Sequence, residues 1–220
     1  MSVICRYEKK FILSPKELQD FRCWHKCYFY EFKQSFPPRT VNNIYFDSYD
    51  FDNFYENLSG HSKRAKCRLR WYGDNPEVMR FEVKIKKNQL GRKLCKEFDY
   101  KEIEPLISNP AQLYNYLKNN IGEELRMYLD KTPVPQIINS YHREYYSTEE
   151  DVRLTVDTNL RYSRFKGEIT SNSRCWNNDI IVEVKYDMDK ADIVLKKLRT
   201  FPFRVEKSSK YVNAVNFNCS

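Results

Sequence analysis

Glycine is scarce in this sequence, 5 in 220 residues, and neither an internal repeat nor a linker interrupts it. With 17 Tyr and 14 Phe beside that scarcity, disorder and low complexity are excluded. No apolar run approaches the ~20 residues that a membrane-spanning helix needs. No cleavable signal opens the sequence, and its seven cysteines (Cys5, Cys23, Cys27, Cys67, Cys95, Cys175, Cys219) are odd in number, with no CxxC pair. The expectation is a cytoplasmic protein with reduced thiols, at most peripheral at the inner face of a membrane. Cys23 and Cys27 flank His25, but a second ligand pair is missing, and Phe21 and Trp24 beside them favour packing over zinc. His25, His61 and His142 compose no nucleophile or metal motif.

What is abundant is positive charge. A formal net charge of +8 and a pI near 9.0 call for an anionic partner, whether nucleic acid, an acidic membrane surface or a phosphorylated small molecule or polymer. The length suits one domain over residues 1–220 with a substantial core.

The first strand covers 5–13. A helix follows over 14–36: Ser14 is a good N-cap, Pro15 fits the first helical position, Glu17 completes a capping box, and Pro37-Pro38 ends it. Further strands cover 40–48 and 65–73, separated by an acidic turn at 49–58, and the strand of "RFEVKIKKNQLGRK" follows a turn at 73–76. "KEFDY" (96–100) is another strand, and Gly91 marks a turn before it. Residues 102–131 are helical, broken at Asn109-Pro110 and near Gly122. Strands return at 135–147, 151–160, 161–165 and 179–187, before a helix at 189–200 and the closing stretch 204–215.

These strands share an unusual face. In "RFEVKIK", Phe81, Val83 and Ile85 point one way while Arg80, Glu82, Lys84 and Lys86 point the other. Like charges two residues apart, at roughly 7 Å, repel by about 2 kcal/mol at an effective dielectric near 20. One such strand is explained by a solvated face; six are not. Arg6, Glu8 and Lys10 align on the first strand; Lys66, Arg68 and Arg70 oppose Cys67, Leu69 and Trp71; Arg143 stands between Tyr141 and Tyr145. Arg153, Thr155 and Asp157 alternate with Val152, Leu154 and Val156, and Glu183, Lys185 and Asp187 with Val182, Val184 and Tyr186.

The architecture that collects such faces is a barrel whose lumen is charged and whose apolar outside is covered by helices. The class is therefore α+β, an antiparallel eight-stranded β-barrel tunnel with helices packed outside. A cationic lumen favours a polyanion, and Glu8, Glu82, Asp157 and Glu183 on the same faces offset repulsion and are candidate holders of a divalent cation. The run Lys63-Arg64-Ala65-Lys66 is a solvated turn before a strand rather than a nucleic-acid patch, so nucleic acid is not an expected partner.

"YFDSYDFDNFYENL", "CRLRWYG", "FEVKIK", "GRK", "YHREYY", "TVDTNL", "VEVKY" and "SSKYV" occur in this order from about residue 5 to 215. The set resembles the polyphosphate polymerase domain of the vacuolar transporter chaperone complex and its bacterial relatives, within the triphosphate tunnel metalloenzymes. The resemblance implies transfer of the ATP γ-phosphate to a growing polyphosphate chain, assisted by Mn2+ in preference to Mg2+ or Co2+. It places substrate-phosphate contacts on Lys10, Arg68, Arg70, Lys84, Lys93, Arg143 and Lys210, with Ser209 as a neighbouring donor and Tyr141 and Lys86 as further binding positions. Glu183 takes the metal-ligand position, with Glu8 and Glu82 as additional candidates. Arg forks, Lys and a metal suit phosphoryl transfer, which depends on alignment and charge neutralisation.

Two departures matter. The tunnel hydrolases typically begin with Glu-x-Glu-x-Lys, whereas this chain has Arg6-Tyr7-Glu8-Lys9-Lys10, which favours the polymerase branch. Lys86 stands where the eukaryotic polymerases carry His, and retains only phosphate binding. Coupling to transport requires a separate membrane partner. The alternatives are a tripolyphosphate or nucleoside triphosphate hydrolase of the same fold and a polyphosphate-binding module without catalysis.

Overall fold

The structure, a computed structural model, describes residues 6–29, 31–87, 90–169 and 175–219. Along the chain run β1 (Arg6–Leu13), α1 (Pro15–Tyr28), β2 (Lys33–Asp47), α2 (Asp52–Leu58), β3 (Lys63–Tyr72), β4 (Val78–Lys87), β5 (Leu90–Asp99), α3 (Tyr100–Ile103), α4 (Pro110–Asn120), α5 (Glu123–Leu129), β6 (Val134–Ser147), β7 (Arg153–Arg164), β8 (Cys175–Asn177), β9 (Ile180–Asp187), α6 (Ala191–Leu198) and α7 (Lys210–Cys219). The strand order is β1-β9-β7-β6-β2-β3-β4-β5, with the short β8 beside β7. The pairs β1/β9, β7/β9, β2/β3, β3/β4 and β4/β5 are antiparallel. Among the described residues β1 and β5 end the order, with no backbone pairing between them. No helix among the described residues is long and apolar enough to cross a membrane.

The chain divides into two compact units, residues 1–40, 141–160 and 176–208 in the first and 41–140, 161–175 and 209–220 in the second. In the first, alternation sends Phe11, Leu13, Leu154, Val156, Val182 and Val184 to one side of the sheet, where they pack with Phe21 and Trp24 of α1 and with Phe201. The capping box of Ser14 and Glu17 forms as expected, with Pro15 opening α1. The helix is shorter than the sequence indicated. It stops at Tyr28 because Phe29 and Phe32 turn into the core, stacked at 4.7 Å, and Phe29 N–H closes the helix on the His25 carbonyl. Pro37 and Pro38 therefore end no helix; they lie in the exposed first part of β2, where a missing N–H is tolerated.

In the second unit, Ile44, Phe46, Cys67, Leu69, Trp71, Phe81 and Val83 pack against Leu113 and Leu117 of α4 and Leu125 and Leu129 of α5. The helical section breaks where its sequence says: Asn109 caps α4, Pro110 opens it, and Gly122 precedes α5. Three features differ from the sequence reading. Residues 52–58 are a helix rather than a turn, because the Asp47 carboxylate accepts from the backbone N–H of Asn53 (2.9 Å) and Phe54 (3.2 Å) at its start. Gly91 sits inside β5 opposite Lys86, not in a turn. Residues 153–164 form one strand, β7, which continues past Asn159 at φ +55°.

Candidate functional site

The antiparallel register turns the sequence alternation into rows. In the second unit, Lys84 of β4 lies opposite Lys66 of β3 on one side and Lys93 of β5 on the other. The next row holds Tyr45, Arg68, Glu82 and Cys95, and the one after it Asn43, Arg70, Arg80 and Glu97. Directly opposed like charges destabilise a sheet, so this row of three lysines carries a local cost. Lys84 is exposed and Lys86 half-buried; Lys66 donates to the Ser209 hydroxyl at 2.8 Å.

Glu82, whose side chain is 2% exposed, is the carboxylate within this cluster. Arg68 binds it through Nε (2.8 Å) and a terminal nitrogen (2.6 Å), Lys93 contacts its other oxygen, and Arg70 stands at 4.0 Å. Burial pushes its pKa up, but Arg68, Arg70 and Lys93 together outweigh burial and hold it down to about 2. One carboxylate thus serves three cations. Arg70 is further held by a neutral group, its Nε donating to Asn43 Oδ1 at 2.7 Å.

Ser209 and Lys210 stand at the start of α7, where the Ser209 carbonyl accepts from Asn213 N–H and its hydroxyl from Val212 N–H. The next residue, Tyr211, donates its hydroxyl to the fully buried Asp47 carboxylate, which ties α7 to β2 and α2. Cys67, on the opposite face, is buried, and its thiol is pushed up to about 12, which makes it inert as a nucleophile.

In the first unit, the β1/β9 register sets Glu8 opposite Lys185 and Lys10 opposite Glu183. The four alternate in sign. Lys10 Nζ lies 2.8 Å from Glu8 and 3.4 Å from Glu183 and donates to the Ser208 carbonyl at 3.0 Å. Lys185 contacts Glu183 and reaches Glu8 at 3.9 Å. Burial opposes the charge on Lys10, yet Glu183 and Glu8 prevail and raise its pKa above the ordinary lysine value. Arg143 forms a two-pronged pair with Asp157 at 2.5 and 2.7 Å, its guanidinium carbon 5.1 Å from the Tyr141 ring centre.

Glu183 and Glu8, which share Lys10 and Lys185 as their cations, are the candidate carboxylates for a divalent cation. Among the described residues no group of three or more His, Cys, Asp or Glu side chains gathers to hold one. Two carboxylates nonetheless match a hard cation that completes its shell with phosphate oxygens and water. Glu82 is engaged as counter-charge to Arg68, Arg70 and Lys93.

The structure therefore gathers Arg68, Arg70, Lys84, Lys93 and Ser209 in one unit with Lys210 next to Ser209, and Lys10, Glu8, Glu183, Arg143 and Tyr141 in the other. Lys66 and Lys185, both on the alternating charged faces, enter these clusters without having been assigned a role. Asn43, Asn139, Asp47 and Tyr211 carried no local signal, because their contacts link residues 96 and 164 positions apart.

The VTC domain model matches residues 5–218. Among the solved structures that align over 96% of this chain are the following two. A candidate adenylate cyclase from Vibrio parahaemolyticus aligns at 12% identity over 99% of its own length, with a TM-score of 0.54. A Hippeastrum protein, described as a candidate adenylyl cyclase with a dominant triphosphatase activity, aligns at 14% identity over 95% of its length, with a TM-score of 0.51. No curated protein matches the sequence. At such identities the structural likeness shows a shared fold, the tunnel fold that the alternating strands indicated. The family match covers nearly every residue from the first strand to the last helix, and the chain belongs to the VTC domain family.

Proposed function

We infer that residues 1–220 act as one metal-dependent phosphotransferase domain, a polyphosphate polymerase. A terminal oxygen of the growing chain attacks the γ-phosphorus of ATP in line, the bond to the bridging oxygen breaks, and ADP leaves. No side-chain nucleophile takes part. The observation that carries this reading is the face on which Arg68, Arg70 and Lys93 gather around one buried carboxylate, Glu82, beside the row Lys66, Lys84 and Lys93. Such an excess of fixed positive charge is unfavourable alone and is relieved by a polyphosphate or triphosphate.

In this reading Arg68, Arg70, Lys84 and Lys93 bind and neutralise nonbridging oxygens, with Lys10, Lys86, Arg143, Tyr141, Ser209 and Lys210 as further phosphate contacts. Glu183 and Glu8 hold the divalent cation, Mn2+ first and Mg2+ or Co2+ as substitutes. When bound, the ion neutralises charge on phosphate oxygens. ATP and polyphosphate are the partners.

Hydrolysis of a triphosphate, with water as the acceptor, is the second reading, favoured by the triphosphatase activity named for the Hippeastrum protein. Product analysis decides. Purified protein with ATP and Mn2+, followed by phosphorus NMR, is expected to show internal chain phosphates that disappear in Lys84→Ala. Orthophosphate with no chain growth would assign hydrolysis, and polyphosphate binding without turnover would assign a binding module.

A further inference from the structure

Arg70 is held by a directional chain of amides. Its guanidinium only donates, so the oxygen of Asn43 must face it, at 2.7 Å from Nε. The Asn43 nitrogen then points away and donates to Asn139 Oδ1 at 2.8 Å. Accepting with its oxygen leaves Asn139 with its own nitrogen as the end of the chain. That nitrogen is buried and meets no hydrogen-bond partner among the described residues. Both asparagines are 7% exposed or less, in fact 0%.

A buried amide donor without an acceptor is destabilising; an apolar side chain in place of Asn139 would remove that donor but would leave the equally buried Asn43 nitrogen without its acceptor. Either choice leaves one buried amide nitrogen unsatisfied, so stability alone does not single out Asn139. What the amide does provide is direction: with its nitrogen donating to Asn139 Oδ1, Asn43 cannot turn its own oxygen away from Arg70. The partner is also neutral. A second carboxylate would orient Arg70 equally well but would offset more of its charge than Glu82, at 4.0 Å, already does; an amide orients the guanidinium without adding negative charge.

We propose that Asn139 is a positioning residue for phosphate recognition, acting through Asn43 on Arg70. This rests on the reading of the Arg70 face as a phosphate site. Asn139 has no contact with the ligand in this account, and its effect exists only while Arg70 is present.

The test is a double-mutant cycle read by calorimetric binding of inorganic tripolyphosphate, with melting curves alongside. Asn139→Leu is expected to weaken binding roughly three- to tenfold, the loss of about one oriented hydrogen bond, with a fall of a few degrees in melting temperature as the Asn43 nitrogen loses its acceptor. In an Arg70→Ala background the same substitution is expected to change affinity by less than about twofold. Where leucine is not accommodated, Asn139→Ala removes the same acceptor without added bulk. Unchanged affinity in the single variant overturns the proposal, and so does an equal loss with and without Arg70. Wild-type protein that binds no tripolyphosphate overturns the phosphate reading itself, and the assignment of Asn139 with it.

Discussion

Lys84 and Lys93 face each other across β4 and β5, with Lys66 opposite Lys84 on its other side. Each opposed like pair costs a sheet roughly 0.2–1 kcal/mol. A stabilising change and an inactivating one therefore coincide at the centre of the row. Lys84→Ala is expected to cut polyphosphate synthesis by more than about tenfold while the melting temperature holds or rises. Assaying chain synthesis and unfolding on the same preparation checks both halves; wild-type turnover would remove Lys84 from the site.

Glu82 couples this face to stability. Its carboxyl is lowered from an ordinary 4.5 to about 2, so the folded state holds it ionised while the unfolded chain takes up a proton first. The stabilisation is complete above pH 4.5 and is lost as pH falls toward 2, on the order of 3 kcal/mol in all. Glu82→Gln leaves Arg68, Arg70 and Lys93 without their shared counter-charge and is expected to cost about 3–5 kcal/mol at pH 7. The difference should narrow as pH falls through that window. Denaturant unfolding of both proteins at several pH values from neutral to acid measures it.

The charged faces were legible because strand periodicity is local: Arg68, Arg70, Glu82 and Lys84 declare their side through Leu69, Trp71, Phe81 and Val83. Registers are not local, and no alternation says that Lys84 stands between Lys66 and Lys93. Propensity misled at 29–36, where an aromatic run compatible with a helix was drawn into the core as Phe29 and Phe32. At 52–58 the helix depends on Asp47, a cap placed outside the helix by the end of β2. The amides of Asn43 and Asn139 gave no signal at all, since each reads alone as an ordinary polar strand residue.

Glu183 and Glu8 are expected to separate catalysis from binding. Glu183 lies among Lys10, Lys185 and the strand edge of β1, and removing its charge eliminates one of two carboxylates suited to a divalent ion. Glu183→Gln should raise the Mn2+ concentration for half-maximal activity by about tenfold or more. Tripolyphosphate binding without metal should stay equal or strengthen, since a negative charge has gone. A metal titration of activity beside metal-free calorimetry checks this; unchanged metal dependence would show that Glu183 serves only Lys10 and Lys185.

Tyr211 offers a test of how the start of α7 is held. Its hydroxyl donates to Asp47, a carboxylate that also caps α2 and whose pKa burial pushes up against the lowering effect of that same hydroxyl. Tyr211→Phe keeps the ring against Tyr45, 5.4 Å away, and removes the hydrogen bond alone. The expected cost is about 1–3 kcal/mol, the price of leaving a buried charged acceptor short of a donor. Because Ser209 and Lys210 immediately precede Tyr211, loosening this anchor should also weaken tripolyphosphate binding several-fold, and Asp47→Asn should do the same by a second route. Urea unfolding and calorimetry on Tyr211→Phe decide the matter. Lost stability with unchanged binding would make the Asp47–Tyr211 contact a purely structural fastening, with the phosphate contacts of Ser209 and Lys210 set by something else.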